Sequence, residues 1–539
     1  MSLDRMEKPD QMKRIIGDRK RLPLACLKAF MVLMIVIQIA LILLTCRYSF
    51  FTADDYWHAV TAGGLQSSLG ELWRTSWNFM AYRYSEWQGT YLSMFLQIFL
   101  CPLNFTDSQI YLSLHIILVV VCGLFFLSLY GAVRAFVRWM EGEAYSAWHT
   151  IGLYALFLTT FLNLRSYEEN FYWFSGATSY TIPVILAVDG MLILLHCSSK
   201  SLAGTKRRMG QMARTAAVLI SSLLLFLACG GSLEVALPVC YELFVLIVYW
   251  IARTARNRRG HYAGDRHDGA HHDEKERMLL LFPIAAAYVG TLINGLAPGN
   301  YVRHAVTAES ESAVKALYHA VLNSLFQLFD ESGKLLDSSV LCVMFLLTVV
   351  AGIIMSERLR GGSRRLWRLI LIQLPLPFLE IFPVIMGYGS VGLPGRTYLI
   401  LYLSFTAIIL SVGLAVGRWL TDIWTTQNRK RLLSVVLLMS IVAAMTDDVC
   451  MYRTYEGDAM QQAPMSVLAM DWQKGWTQQY YQDVLAFYEK IQTSDASDVT
   501  VDVGDLLNAP DGLMSLIVLN ADCVAQYYGK ASVTVVYEE

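Results

Sequence analysis

Apolar residues in this chain fall into long unbroken runs, unlike the alternating or one-faced patterns of a soluble domain. Runs long enough to cross roughly 30 Å of hydrocarbon extend from Leu24 to Cys46, Ala147 to Leu164, Ser179 to Leu195, Thr215 to Ala228 and Val235 to Trp250. Five more extend from Met278 to Ile293, Ser338 to Met355, Leu366 to Ile385, Tyr398 to Gly417 and Leu432 to Met445. Pro102, Asn104 and Asp107 divide Tyr91 to Val133 into a short apolar piece, read as partial or re-entrant, and a full-length piece that crosses once. The pattern predicts an all-α polytopic membrane body of about 11 transmembrane helices.

Between the runs, basic residues recur in every second loop. They comprise Lys13, Arg14, Arg19, Lys20 and Arg21; Arg134 and Arg138; Lys206, Arg207 and Arg208; Arg253 to Arg259; Arg358, Arg360, Arg364, Arg365 and Arg368; and Arg429, Lys430 and Arg431. The positive-inside bias makes these loops cytoplasmic, so the N-terminus is expected inside and the C-terminus outside. The first run is not followed by a small-residue cleavage site and is expected to remain as a span. Three regions follow: a cytoplasmic segment 1–23, a transmembrane domain 24–446 whose first external loop is 47–90, and an extracytoplasmic cap 447–539. In the cap, Trp472 to Ile491 has an amphipathic helical pattern, and Val499 to Val503, Leu516 to Leu519 and Val533 to Tyr537 read as strands. So small an α/β region is expected to lean on the membrane body.

Composition agrees: 539 residues, 55% of them hydrophobic and only 16% charged, leave too little polar surface for a soluble body of this size. The net charge of −1 offers nothing to a nucleic acid. Cys26, Cys101, Cys122, Cys197, Cys229, Cys240 and Cys342 sit in apolar runs and behave as small hydrophobes. Cys450 and Cys523 fall in the external tail, where a disulfide is permitted. Gly260 to Glu276, with His261, His267, His271 and His272, lacks the fixed spacing of a metal site and reads as a solvated linker.

Sorted by side, the chemistry-bearing residues collect outside: Asp54, Asp55, Tyr56, Trp57, Arg83, Arg165, Glu168, Glu169, Glu234, Asn300, Arg303, His304 and Arg396. The paired aspartates admit two roles, capping the helix that follows or serving as a general base. Arg303, Arg396 and Arg83 suit a phosphate, since a guanidinium makes planar, bidentate, charge-assisted contacts; anchoring helix ends at lipid headgroups is the alternative. Asn300 and His304 adjoin Arg303 after the turn at Pro298-Gly299. Trp87, Trp173 and Tyr180, with their small polar neighbours, suit either an interfacial belt or a sugar-stacking platform. Within the runs, Asp189, Glu242, Glu380 and His115 are the costly polar groups.

Taken together, Ala53-Asp54-Asp55-Tyr56, Arg83 with Trp87-Gln88-Gly89-Thr90, Trp173-Phe174-Ser175-Gly176 with Tyr180, Ala297-Pro298-Gly299-Asn300 with Arg303, Gly395-Arg396-Thr397 and the tail's Ala525-Gln526-Tyr527-Tyr528-Gly529 resemble the GT-C superfamily of polytopic glycosyltransferases. More closely, they resemble a bacterial family of multi-pass membrane proteins related to it. The resemblance implies a GT-C-like fold in a bacterial plasma membrane and a polyprenyl-phosphate sugar donor. It also implies a glycan or lipid acceptor of the cell envelope, with membrane lipid as the constant partner. Asp54 and Asp55 would be catalytic, with Arg303, Arg396, Arg83, His304 and Asn300 at the donor phosphate. Tyr56, Trp57, Trp87, Trp173, Tyr180, Glu168, Glu169 and Glu234 would contact substrates. The acidic pair would also be the place for a divalent metal, Mg or Mn, although no second acidic motif of defined spacing accompanies it. Competing expectations are a transporter or lipid-linked sugar flippase and a polysaccharide polymerase or ligase.

Overall fold

The computed structural model describes residues 8–106, 108–164, 167–198, 210–261, 279–307, 313–336, 339–359, 361–388, 393–423, 435–436, 439, 464–510, 512–518 and 520–537. Among these, seven helices are long and apolar enough to cross a membrane: Ala25–Tyr48, Ile110–Ala144, Phe174–Ser198, Gln211–Cys229, Leu233–Ala252, Gly362–Gly387 and Gly395–Ile423. Counting each of two bent pairs as one span raises the number to nine. The eleven crossings read from hydropathy are therefore not reproduced. Ala147–Leu162 is an apolar helix shorter than a full span, and the run Leu432 to Met445 lies almost wholly outside the described residues.

Local sequence explains the breaks. The helix Tyr91–Phe99 stops where Cys101 and Pro102 open a new turn with proline at its first position. At ~1.5 Å per residue nine residues reach only about half of the bilayer, so this piece enters the bundle without crossing it. It is pinned there by Tyr91 Oη donating to Phe226 O (2.6 Å), Leu92 N to Gly230 O (2.9 Å) and Ser93 Oγ to Gly231 O (2.9 Å). The helix Leu69–Glu86 starts at Ser68, whose hydroxyl accepts Glu71 N–H at 3.2 Å, while Glu71 reaches back to Ser67 N at 3.0 Å. Leu281–Gly295 gives way to Pro298–Thr307 with a 41° bend. Asn294 closes the break by donating to Cys229 O at 2.9 Å. Span Phe174–Ser198 begins with a π-helical turn over Ala177–Thr181, an arrangement frequent at functional sites.

The tail forms helices Pro464–Lys474 and Trp476–Thr493 and two parallel strands, Asp498–Asp502 and Ser532–Val536, in register from Asp498 opposite Ser532 to Asp502 opposite Val536. Parallel pairing needs a crossover, and the helix Ala521–Tyr527, capped by Asn520, lies within it. The expected strand Leu516 to Leu519 is not one over its described residues 516–518. The backbone of Ile517 is committed elsewhere: its carbonyl accepts Ala53 N–H (2.7 Å) and its N–H donates to Thr52 Oγ1 (2.8 Å). The cap does lean on the membrane body, with Trp472 donating to Thr45 Oγ1 (2.9 Å) and Arg47 lying 4.9 Å from the Trp472 ring centre. The described cysteines are free thiols; Cys450, and with it the expected pairing to Cys523, lies outside the described residues, as does the histidine-rich stretch beyond His261.

Candidate functional site

The site is built where the chain leaves its first span. Residues 51–53 turn sharply, and Ala53 takes φ +50°, ψ −115°, a conformation that an L side chain rarely adopts; such backbone strain costs about 1–3 kcal/mol and concentrates at functional sites. The turn launches the helix Asp54–Thr61 with both aspartates in its first turn and Ala53, not an aspartate, at the N-cap. From there the two carboxylates diverge.

Asp55 is buried, 1% exposed, and its oxygens are spoken for. Oδ2 accepts Thr52 N–H at 3.1 Å, and Oδ1 accepts both the hydroxyl (2.6 Å) and the N–H (3.2 Å) of Ser175. Burial pushes its pKa up to about 7, against the pull of the Ser175 and Thr52 donors. One turn on, His58 Nδ1 lies 3.4 Å from the same Ser175 hydroxyl, and burial together with the Arg83 charge pushes the imidazole down to about 3, so it is neutral at physiological pH. Asp54 is half-buried, and no donor among the described residues ties its carboxylate. Burial raises its pKa while the charges of Arg396, Arg83 and Arg303, in that order, oppose the rise.

Three guanidinium groups from distant regions of the chain thus bear on one free carboxylate. Arg83, at the end of helix Leu69–Glu86, lies 4.6 Å from the Trp57 ring centre and 5.4 Å from that of Trp87. Burial lowers its pKa to about 10, which leaves it charged. Arg303 lies 5.5 Å from the same Trp87 ring centre and donates to Gln88 Oε1 at 3.1 Å. Arg396 lies 5.9 Å from the Trp173 ring and donates its backbone N–H to Glu169 Oε2 at 3.0 Å, with its guanidinium 3.9 Å from the same oxygen. The Trp173 indole in turn donates to Thr52 O at 3.2 Å. Trp57, Trp87 and Trp173 therefore serve as shelves for arginines, each cation lying over an aromatic face.

Close backbone approach makes this possible. A Cβ on Gly299 would stand 2.5 Å from Trp87 N, so only glycine lets the Pro298–Thr307 helix carry Arg303 onto the 87–89 loop. At Gly395 the added carbon would collide with the Glu169 carboxylate that receives Arg396.

The remaining expected residues divide. Glu169 and Glu234 belong to the cluster: Glu169 through Arg396, and Glu234, 7% exposed, through the fields of Arg396 and Arg303. Asn300 is a brace, accepting Gly89 N–H (3.0 Å) and donating to Asn294 O (2.6 Å) and Gly295 O (3.2 Å). Tyr56 is buried under the cap, its hydroxyl 3.0 Å from that of Tyr528. His304 is half-buried one residue past Arg303, Glu168 begins the short helix Glu168–Phe171, and Tyr180 lies in the π-helical turn. Arg165 lies outside the described residues. Of the polar groups inside the spans, Glu380 accepts from Ser404, and His115 contacts Ser49 O at 2.9 Å.

Sequence reasoning missed Ser175, His58 and Gln88 as members of the site. Ser175 and Gln88 sit inside the tryptophan-bearing motifs and His58 sits one turn from Asp55, so spacing held the signal. It also missed the helix Ala313–Leu336 and its buried Glu331, which accepts from Gln327 (3.1 Å), Lys334 (2.9 Å), Tyr398 (3.3 Å) and Tyr402 (3.3 Å). Among the described residues no three His, Cys, Asp or Glu side chains converge as metal ligands. Compared with protein-family models, curated proteins and solved structures, the chain has no match.

Proposed function

We propose that this protein is a membrane glycosyltransferase that moves a sugar from a polyprenyl-phosphate donor to a glycan or lipid acceptor at the outer face of a bacterial plasma membrane. The observation that carries the reading is the untied Asp54 carboxylate within the field of Arg83, Arg303 and Arg396 at a helix-end surface. Such a site joins a base to an anion clamp at headgroup depth, where the phosphate of an isoprenoid-anchored donor would lie.

The acceptor hydroxyl gives its proton to Asp54 as its oxygen attacks the anomeric carbon from the face opposite the phosphate. The bond between that carbon and the phosphate oxygen breaks, and its electron pair stays on the departing polyprenyl phosphate. Arg303 and Arg396 hold the added negative charge, and the charges of Arg396, Arg83 and Arg303 oppose the rise that burial gives the Asp54 pKa. Asp55 acts through the backbone: it fixes the turn that presents Asp54. The arginines supply the positive charge at the departing phosphate. A transporter or flippase rests instead on Glu380, which is buried with one carboxylate oxygen unpartnered among the described residues. A polymerase or ligase would use the same arginine clamp on a longer lipid-linked glycan.

The test is transfer of radiolabelled sugar from synthetic polyprenyl-phosphate sugars to membrane acceptors, comparing wild type with Asp54→Asn and Arg303→Ala proteins of unchanged elution profile. Transfer that collapses in both variants supports the assignment. Absence of transfer across a broad donor panel, with all proteins folded, moves the reading to transport.

A further inference from the structure

The acidic turn is held from both sides, and one of those sides is the far end of the chain. On the bundle side, Asp55 ties the turn to Ser175. On the other side, Tyr488 Oη donates to Phe51 O at 2.9 Å, Ala53 N donates to Ile517 O at 2.7 Å, Ile517 N donates to Thr52 Oγ1 at 2.8 Å, and the Tyr56 and Tyr528 hydroxyls meet at 3.0 Å. Rings close the interface: Tyr56 packs against Tyr488, Tyr527 and Tyr528 with centroids 5.2, 5.3 and 6.0 Å away. Phe51, Thr52, Ala53 and Tyr56 thus all bond to the cap. The residue in the middle of this grip, Ala53, has the strained backbone and immediately precedes Asp54.

From this we infer that the C-terminal cap is the positioning element of the site: by gripping residues 51–56 it holds the strained corner that aims Asp54 at Arg83, Arg303 and Arg396. Tyr488, Thr52 and Tyr528 are positioning residues, since they act on the turn through Phe51 O, Ile517 N and the Tyr56 hydroxyl. The inference rests on Asp54 being the reactive carboxylate but not on which group is transferred.

The test reads placement directly. In the full-length protein with Cys450→Ser and Cys523→Ser, Asp54→Cys is modified by water-borne methanethiosulfonates, one carrying a sulfonate and one a quaternary ammonium. Each rate is divided by that for free 2-mercaptoethanol. With the cap seated, the anion-to-cation ratio is expected to exceed unity on the order of 10- to 100-fold, because three guanidinium groups concentrate the anion. Tyr488→Phe with Tyr528→Phe, and separately Thr52→Val, are expected to bring it to within about twofold of unity. Adding Ala53→Gly, which removes the strain the cap opposes, is expected to restore some of the ratio. A ratio unchanged in the cap variants, with proteolysis showing the tail released, would overturn the inference and leave the Asp55–Ser175 tie as sufficient. Either result stands whether or not glycosyl transfer is observed, so failure of the enzymatic reading is seen separately in the transfer assay.

Discussion

Two adjacent aspartates have opposite fates because one side chain points to Ser175 and the other to three arginines. Asp54→Asn is expected to lower kcat for transfer roughly 10²- to 10⁴-fold, the usual worth of a general base, with unfolding temperature unchanged. The rate should rise with pH through a limb lying above the ordinary aspartate range, because burial raises the Asp54 pKa, and should stay flat until Arg83 begins to discharge near pH 10. A log rate against pH curve that bends at the ordinary aspartate value would contradict this. Asp55 governs stability. Its pKa is about 7 when folded and near 3.8 when unfolded, so the native state binds the extra proton between those values. Its contribution is complete below pH 3.8 and is lost as pH rises through about 7. Asp55→Asn should flatten that slope in thermal unfolding followed across pH. The sequence made the pair legible as an acidic motif; which member is free was not, since Ser175 and Thr52 reach Asp55 through folding alone.

Helix ends decide the element scale. Arg83, Arg303 and Arg396 are readable as arginines expected outside, and proline and glycine mark the turns before Arg303 and Arg396. What the sequence did not carry was their convergence, which depends on contacts such as Gly299 against the Trp87 backbone. Replacing one arginine by alanine should raise the donor KM roughly 10- to 150-fold, the range for a lost charged hydrogen bond of 1.5–3 kcal/mol, with kcat falling as well for Arg303 and Arg396. Gly299→Ala should act like a mild version of Arg303→Ala. The added methyl must push a pair of backbones apart, an overpacking cost of about 1–3 kcal/mol read as a lower unfolding temperature together with a raised KM. Tyr56 is expected at the substrate and Asn300 at the donor phosphate from the resemblance alone; packing commits one to the cap and the other to a brace, and neither fate leaves a mark on hydropathy or spacing.

For the whole molecule, hydropathy located the apolar helices, of which seven among the described residues are long enough to span, or nine with each bent pair counted as one. Pro102 and Asn104 mark the Tyr91–Phe99 piece as partial, and Pro298-Gly299 mark the turn after Leu281–Gly295; a window average does not give the 41° angle of that bend. Orientation, argued from basic loops, has a direct check. Cys523, partly exposed in the cap, should react with an impermeant maleimide in intact cells, whereas labelling only after permeabilisation would reverse the assignment. The bond from Thr52 to Ile517 spans 465 positions of sequence, and this has a bearing on biogenesis. At synthesis rates of roughly 5–20 residues per second, about half a minute to a minute and a half separates the making of Asp54 from the making of the residues that grip its turn. A nascent chain already threaded into the membrane would therefore carry an acidic turn without its outer grip, and would complete it only after nearly the whole polypeptide had been translated.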